Sequence, residues 1–203
     1  MPTYTILAAP VESTTEEKNS DFLTFLHPVT SREEAIAHVD AYCKKYPDAN
    51  HVCWAYVIGN TRQPQTQAFS DDGEPSGTAG KPMLHVLTER DVGNSLAVVV
   101  RYFGGVKLGA GGLVRAYSGA VSEAVNCAQL VEVTPCVQIQ ITVDFAKETK
   151  IRHIVNMYQG QILHVDYATQ VTLKISLAAA QAELFAQQVM NETAGDAAIH
   201  IDN

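Results

Sequence analysis

Residues 96–103 are apolar apart from Arg101, and such a run does not form a strand with one face in water. A strand of this kind is covered on both faces, so the surrounding chain has to supply the covering layers. Three helical patterns in the first half of the sequence do so. Ser31-Arg32-Glu33-Glu34 reads as a capping box opening a helix that buries Ile36, Val39, Cys43 and Tyr46 and stops at Pro47. Pro82 suits the first turn of a second helix that runs to about Glu89. A third, over 113–130, buries Leu113, Tyr117, Val121, Ala124 and Ala128. Further strands are expected over 4–9, 22–26, 51–59 and 66–69.

The patterning changes after residues 131–136, which carry Pro135. Val137, Ile139, Ile141, Val143 and Phe145 alternate with Gln138, Gln140, Thr142 and Asp144, as in a strand with one wet face. A helix over 147–158 follows, closed at Gly160 by a left-handed cap. Two strands (163–167 and 171–177), a helix over 178–191 and a last strand over 197–202 complete a β-α-β-β-α-β order, the ferredoxin-like sandwich. The expected fold class is therefore α+β, with domains at 1–132 and 137–203. An RNA-recognition motif would place aromatics on the open sheet face. The outward positions are instead Gln138, Gln140, Thr142, Asp144, Thr172, Lys174 and Ser176, so a solvated face is expected.

Composition excludes several classes. Fourteen Lys and Arg against twenty-two Asp and Glu give a net charge of −8, so any phosphate binding must come from a local patch. No 18-residue apolar stretch is present, and Met1 to Pro10 has neither a basic nor a long apolar segment. Neither a membrane span nor a secretory signal is expected. Cys43, Cys53, Cys127 and Cys136 form no Cys-x-x-Cys and no zinc spacing, which reads as reduced thiols in the cytoplasm. His51 and Cys53 stand two apart on one strand, but side chains so placed seldom approach for proton transfer, so no catalytic pair is expected.

Two stretches can carry chemistry. Between the apolar strand and the third helix, Gly104, Gly105, Gly109, Gly111 and Gly112 are five glycines in nine residues. They let backbone N–H groups approach a ligand, and the following helix adds its positive end, a combination suited to phosphate or carboxylate. Arg101, Lys107 and Arg115 flank the loop, Lys81 is a further candidate, and no Asp or Glu occurs from Val92 to Ser122. The alternative is a tight turn whose glycines serve packing. Arg101 shares a strand face with Ala97, Val99 and Phe103, so it also reads as a partly buried residue paired with Asp71 or Asp72. Neither the dinucleotide nor the Walker glycine pattern is met. The other stretch, Asp71-Asp72-Gly73-Glu74-Pro75 with Gly77 and Thr78, lacks calcium-loop spacing. It is expected as a turn, fixed by Lys81 on one of its carboxylates, rather than a metal site. No metal or cofactor is expected.

Residues 48–56, 70–82 and 99–117 resemble the signature blocks of the IMPACT/YigZ family. The run Arg101-Tyr102-Phe103-Gly104-Gly105-Val106-Lys107-Leu108-Gly109-Ala110-Gly111-Gly112-Leu113 is the most specific part. Lys18, Ser20 and Phe22 fit the family's earlier Lys-x-Ser-x-Phe run, whereas Asp21 stands at a usually basic position. That departure argues against this segment adding to a basic surface. The resemblance implies an N-terminal β-α-β domain like that of a small-subunit ribosomal protein and domain IV of elongation factor G. It also implies a C-terminal domain like domain V of that factor. Eukaryotic members act in translational control, by competing for an activator of an initiation-factor kinase. The expected function is a non-catalytic binder of RNA, the ribosome or a translation-related protein. The alternative is a small enzyme acting on a phosphorylated or anionic substrate in the same glycine-rich cleft. No catalytic residue is carried over from the family.

Overall fold

The computed structural model describes residues 3–202, so residues 1–2 and 203, at the outer ends of the two expected domain ranges, lie outside it. The chain forms two compact units, which meet in sequence between Val133 and Thr134. The first contains β1 (Tyr4–Leu7), β2 (Val11–Glu17), β3 (Ser20–Pro28), α1 (Arg32–Lys45), β4 (His51–Asn60), β5 (Gln63–Ser70), α2 (Gly80–Glu89), β6 (Ser95–Tyr102), α3 (Ala110–Cys127) and β7 (Leu130–Val133). The second contains β8 (Cys136–Val143), α4 (Glu148–Met157), β9 (Gln161–Tyr167), β10 (Val171–Ala178), α5 (Ala182–Glu192) and β11 (Ala198–Asp202).

β6 is the middle strand of an antiparallel five-stranded sheet ordered β2-β3-β6-β4-β5. Its apolar side chains divide between two cores, as the sequence requires. Ala97 and Val99 pack with Met83 and Leu87 of α2 and with Tyr117 and Val121 of α3. Leu96, Val98 and Val100 pack on the other face with Val39 and Tyr42 of α1. All five are fully buried, and each Val or Leu contributes about 1.5–3 kcal/mol over an exposed position.

α1 begins as expected, with Ser31 Oγ accepting the Glu34 N–H at 3.2 Å and the Glu34 carboxylate accepting the Thr30 N–H at 2.7 Å. Its inner stripe differs from the expected one. Ala35, Val39 and Tyr42 are buried, Ile36 and Tyr46 lie at the margin, and Cys43 is exposed. The Tyr42 ring, stacked on Phe25 at 4.3 Å, sets the helix rotation, and the small Ala35 lets the backbone approach the sheet. Two strands escaped the sequence reading. β2 is a polar edge strand whose residues alternate between half-buried and exposed. β7 lies where an interdomain linker was expected, and it pairs antiparallel with β1, Leu7 opposite Leu130 and Tyr4 opposite Val133.

The second unit has the expected β-α-β-β-α-β order, on an antiparallel sheet ordered β11-β8-β10-β9. Ile139, Ile141, Leu173 and Ile175 meet Ile151, Val155, Phe185 and Val189 of the two helices. On the other sheet face Thr142 and Thr172 share a hydroxyl hydrogen bond at 3.0 Å. Phe145 falls outside β8 and is exposed, because the chain turns after Val143. The cap of α4 also differs: Gln159, with φ +57°, takes the left-handed position expected of Gly160. The Gly160 N–H then reaches back to the Val155 carbonyl at 2.8 Å. α5 ends in the same way, with Ala194 at φ +55° and the Gly195 N–H on the Met190 carbonyl at 3.0 Å.

Two stability predictions follow from these local features. Left-handed backbone disfavours any side chain with a Cβ, so Gln159→Gly and Ala194→Gly should each stabilise by about 0.5–1 kcal/mol in urea unfolding. His27 bonds the Tyr42 hydroxyl at 2.7 Å and stacks on His38 at 4.2 Å. Burial, then the neighbouring His38, lower its pKa from the ordinary 6.5, against a smaller opposing pull from Glu12. Protonation therefore favours the unfolded chain, and stability falls as pH drops below 6.5 towards the lowered value. His27→Gln should flatten that part of the stability–pH curve, measured by denaturant midpoints.

Candidate functional site

The loop leaving β5 is folded by its own carboxylates. Asp71 Oδ1 accepts the N–H groups of Ala79 and Gly80 at 3.0 and 2.8 Å, and its Oδ2 accepts that of Gly77 at 2.7 Å. One side chain thus caps the amino end of α2, where Ala79 has no oxygen of its own to offer. Gly80 is required there, since a Cβ would stand 2.6 Å from the Ser70 carbonyl oxygen. Asp72, at φ +41°, accepts the Val52 N–H at 2.6 Å, and its carbonyl meets His51 Nδ1 at 2.7 Å. The left-handed Gly73 and Gly77 let the chain turn, and Thr78 Oγ1 closes it on the Pro75 carbonyl at 2.6 Å. The expected turn is therefore held by Asp71 rather than by Lys81, which is exposed. Among the described residues, no three His, Cys, Asp or Glu are grouped to hold a metal.

Glu74 points inward from the same loop. Its Oε1 accepts from Arg101 Nη1 at 2.6 Å and from the Tyr117 hydroxyl at 2.7 Å, and its Oε2 lies 3.8 Å from His51 Nε2. Glu74 and Arg101 are only 8% and 5% exposed, so this is a buried ion pair. Arg101 thus pairs with Glu74, not with Asp71 or Asp72. Its Nη2 also reaches Ser20 Oγ at 3.4 Å, whereas its Nε has no partner. Cys53 turns to the Asp71 carbonyl and Tyr117 at 3.0 and 3.4 Å, away from any pairing with His51. Burial pushes its thiol up to about 12, so it stays protonated at neutral pH.

The glycine run follows β6. A Cβ on Gly104 would stand 1.6 Å from the Asn19 carbonyl oxygen, because the β2–β3 turn docks there. That contact is completed by the Gly104 N–H on Ser20 Oγ at 3.2 Å. Gly105 and Gly109 have φ +85° and +73° and swing the chain into α3. Gly109 is the N-cap and offers no side chain, and the first turn of α3 contains no acid. The N–H groups of Ala110, Gly111 and Gly112 consequently have no carbonyl within the helix, while that of Leu113 returns to Gly109 at 2.9 Å.

This helix start borders a cleft of about 370 Å³ lined by Asn50, His51, Glu74, Pro75, Arg101, Phe103, Lys107, Leu108, Gly109, Ala110 and Leu113. On the other side of Leu108 a smaller hollow of about 180 Å³ is lined by Glu17, Lys18, Gly112, Arg115 and Ala116. Lys107 and Arg115 therefore stand on either side of the amino end of α3. Arg115 Nη1 lies 3.7 Å from where a Cβ of Gly111 would be. Lys18 joins them despite Asp21. The tight hairpin turn, with Lys18 and Asn19 at φ +49° and +61°, brings it to the hollow, and no local sequence pattern signals that. Lys81 borders a separate groove with Pro82, His85 and Val114.

Residues 18–125 match the Impact N-terminal domain, and residues 141–196 match a domain of unknown function, DUF1949. The IMPACT family member YigZ of Escherichia coli (strain K12) is 40% identical over 195 residues, 96% of each chain. A protein IMPACT homolog of Saccharomyces cerevisiae is 41% identical over 96 residues, 46% of this chain and 36% of that one. A crystal structure of a hypothetical protein has a TM-score of 0.67 at 38% identity, covering 98% of this chain and 97% of the other.

Removing one member of a buried ion pair leaves an uncompensated charge, typically costing about 3–5 kcal/mol. Glu74→Ala should destabilise by about that much in urea unfolding. Joint replacement, Glu74→Leu with Arg101→Met, should recover most of it, because no charge is then left buried.

Proposed function

The chain belongs to the IMPACT family, and from that premise we propose that it binds the phosphate backbone of RNA through the amino end of α3. The observation that carries this reading is the contrast between two helix starts thirty residues apart in sequence. Asp71 occupies the free N–H groups at α2. Those at α3 have no side-chain cap and stand among Lys18, Lys107 and Arg115. Backbone donors, a positive dipole end and full positive charges together suit a phosphate. On a chain of net charge −8, such a patch attracts phosphate locally while the remaining surface repels it.

A translation-related partner, the ribosome above all, is the setting we propose. The expected kinship of the two units with domains IV and V of elongation factor G, acting as separate domains, supports it. The place of action is the cytoplasm, where such partners lie. Among the described residues no helix is long and apolar enough to cross a membrane. The enzyme reading is less well supported by the cleft. Its one buried carboxylate is engaged by Arg101 and Tyr117, and the nearby Cys53 thiol is held protonated.

Lys18→Ala, Lys107→Ala and Arg115→Ala, singly and combined, test the proposal. Arg101 is left intact, since its loss would strand Glu74. With a structured RNA followed by fluorescence anisotropy, each phosphate contact removed should reduce the log–log salt slope by about one. A folded triple variant that binds as the parent does would overturn the reading.

A further inference from the structure

The cleft beside α3 offers more than charge. Phe103 stands in its wall and is 45% exposed, directly beside the phosphate-binding end of α3. The ring is carried on fixed backbone, because the Phe103 N–H donates to Asn50 Oδ1 at 2.7 Å. The guanidinium carbon of Arg101 lies 5.6 Å from its centroid, so a buried cation backs the aromatic surface. An exposed aromatic ring at a phosphate site is the usual platform for an unpaired base, since every base has a π face to stack.

The polar groups around it have the matching chemistry. The Asp72 carbonyl can only accept, so His51 Nδ1 carries the hydrogen between them. His51 Nε2 is then an acceptor when the ring is neutral, and at 3.8 Å it is too far from Glu74 to be hydrogen-bonded. Asn50 spends its oxygen on Phe103 and retains its amide hydrogens. An acceptor and a donor thus stand beside an aromatic ring, as the edge and face of a base require. At about 370 Å³ the cleft falls in the lower part of the range for small-ligand sites, about 300–1,000 Å³, and has no room for a duplex.

We infer that this cleft receives one unpaired nucleotide, its base on Phe103 and its phosphate at the amino end of α3 beside Lys107. The inference rests on the phosphate-binding reading above and adds the chemical class of what is recognised. The solvated sheet face of the second unit, by contrast, presents Gln140, Thr142 and Thr172 and no ring at those positions.

The test compares Phe103→Leu, which keeps apolar bulk but loses the ring, with Phe103→Trp and Lys107→Ala, each checked for folding by circular dichroism. The probes are a short single-stranded RNA, the same strand in a blunt duplex, and a nucleoside 5′-monophosphate set against inorganic phosphate. Phe103→Leu should weaken the single strand about ten-fold with an unchanged salt slope, leave the duplex unaffected, and be rescued by Phe103→Trp. Lys107→Ala should lower the salt slope for both RNAs. Competition by the monophosphate well below the inorganic phosphate needed would assign the cleft to free nucleotides, and its absence to a nucleotide within a strand. If Phe103→Leu binds every probe as the parent does while Lys107→Ala still lowers the slope, the nucleotide inference falls and the phosphate reading stands. If Lys107→Ala changes nothing as well, both fall.

Discussion

The buried pair of Glu74 and Arg101 is the contact on which the site depends. Neither charge is tolerable alone at that depth, and together with the Tyr117 hydroxyl they join three separate pieces of chain. Glu74 comes from the loop before α2, Arg101 from the central strand and Tyr117 from α3. Arg101 is also the one polar interruption of the apolar β6 run, placed where the strand reaches the cleft. The pair therefore fixes where the 71–78 loop lies against the start of α3. Through Ser20, which bonds both Arg101 and the Gly104 N–H, it also ties in the hairpin that carries Lys18.

The same neighbourhood separates two kinds of positive charge. Arg101 is neutralised within the protein and serves as wall and ring backing, whereas Lys107, Arg115 and Lys18 keep their charge at the surface. The acids are sorted correspondingly. Glu74 is neutralised by Arg101, and Asp71 and Asp72 turn onto backbone N–H groups of the protein, whereas Glu17 lines the hollow with Lys18 and Arg115. A strongly acidic chain can in this way keep one small region suited to anions.

Much of this was legible in the sequence, and what was not has physical causes. The apolar β6 run and the alternation in β8 and β10 were readable because burial imposes a period on the side chains. β2 and β7 were not, since an exposed edge strand is held by backbone hydrogen bonds that leave little mark on side-chain pattern. In the site, the glycine run was readable because Gly104 and Gly109 meet backbone demands that few other residues satisfy. The partner of Arg101 was not: Asp71, Asp72 and Glu74 are chemically alike in one short loop, and only the fold decides which turns inward. Lys18 was named but set aside on account of Asp21, because the hairpin turn that brings it beside Arg115 links positions distant in sequence.

The pairing of β1 with β7 has a consequence for the first unit as a component. Tyr4 faces Val133 across that ladder, so the polypeptide enters and leaves the unit at neighbouring points. A body whose two ends meet can be spliced into or appended to other chains through a single seam, without rerouting its core. The two-stranded ladder acts as a clasp at that seam, and the sheet holding the cleft has no strand in common with it. In that geometry the first unit is portable: what is attached beyond the clasp can change from one protein to another while the cleft keeps its form.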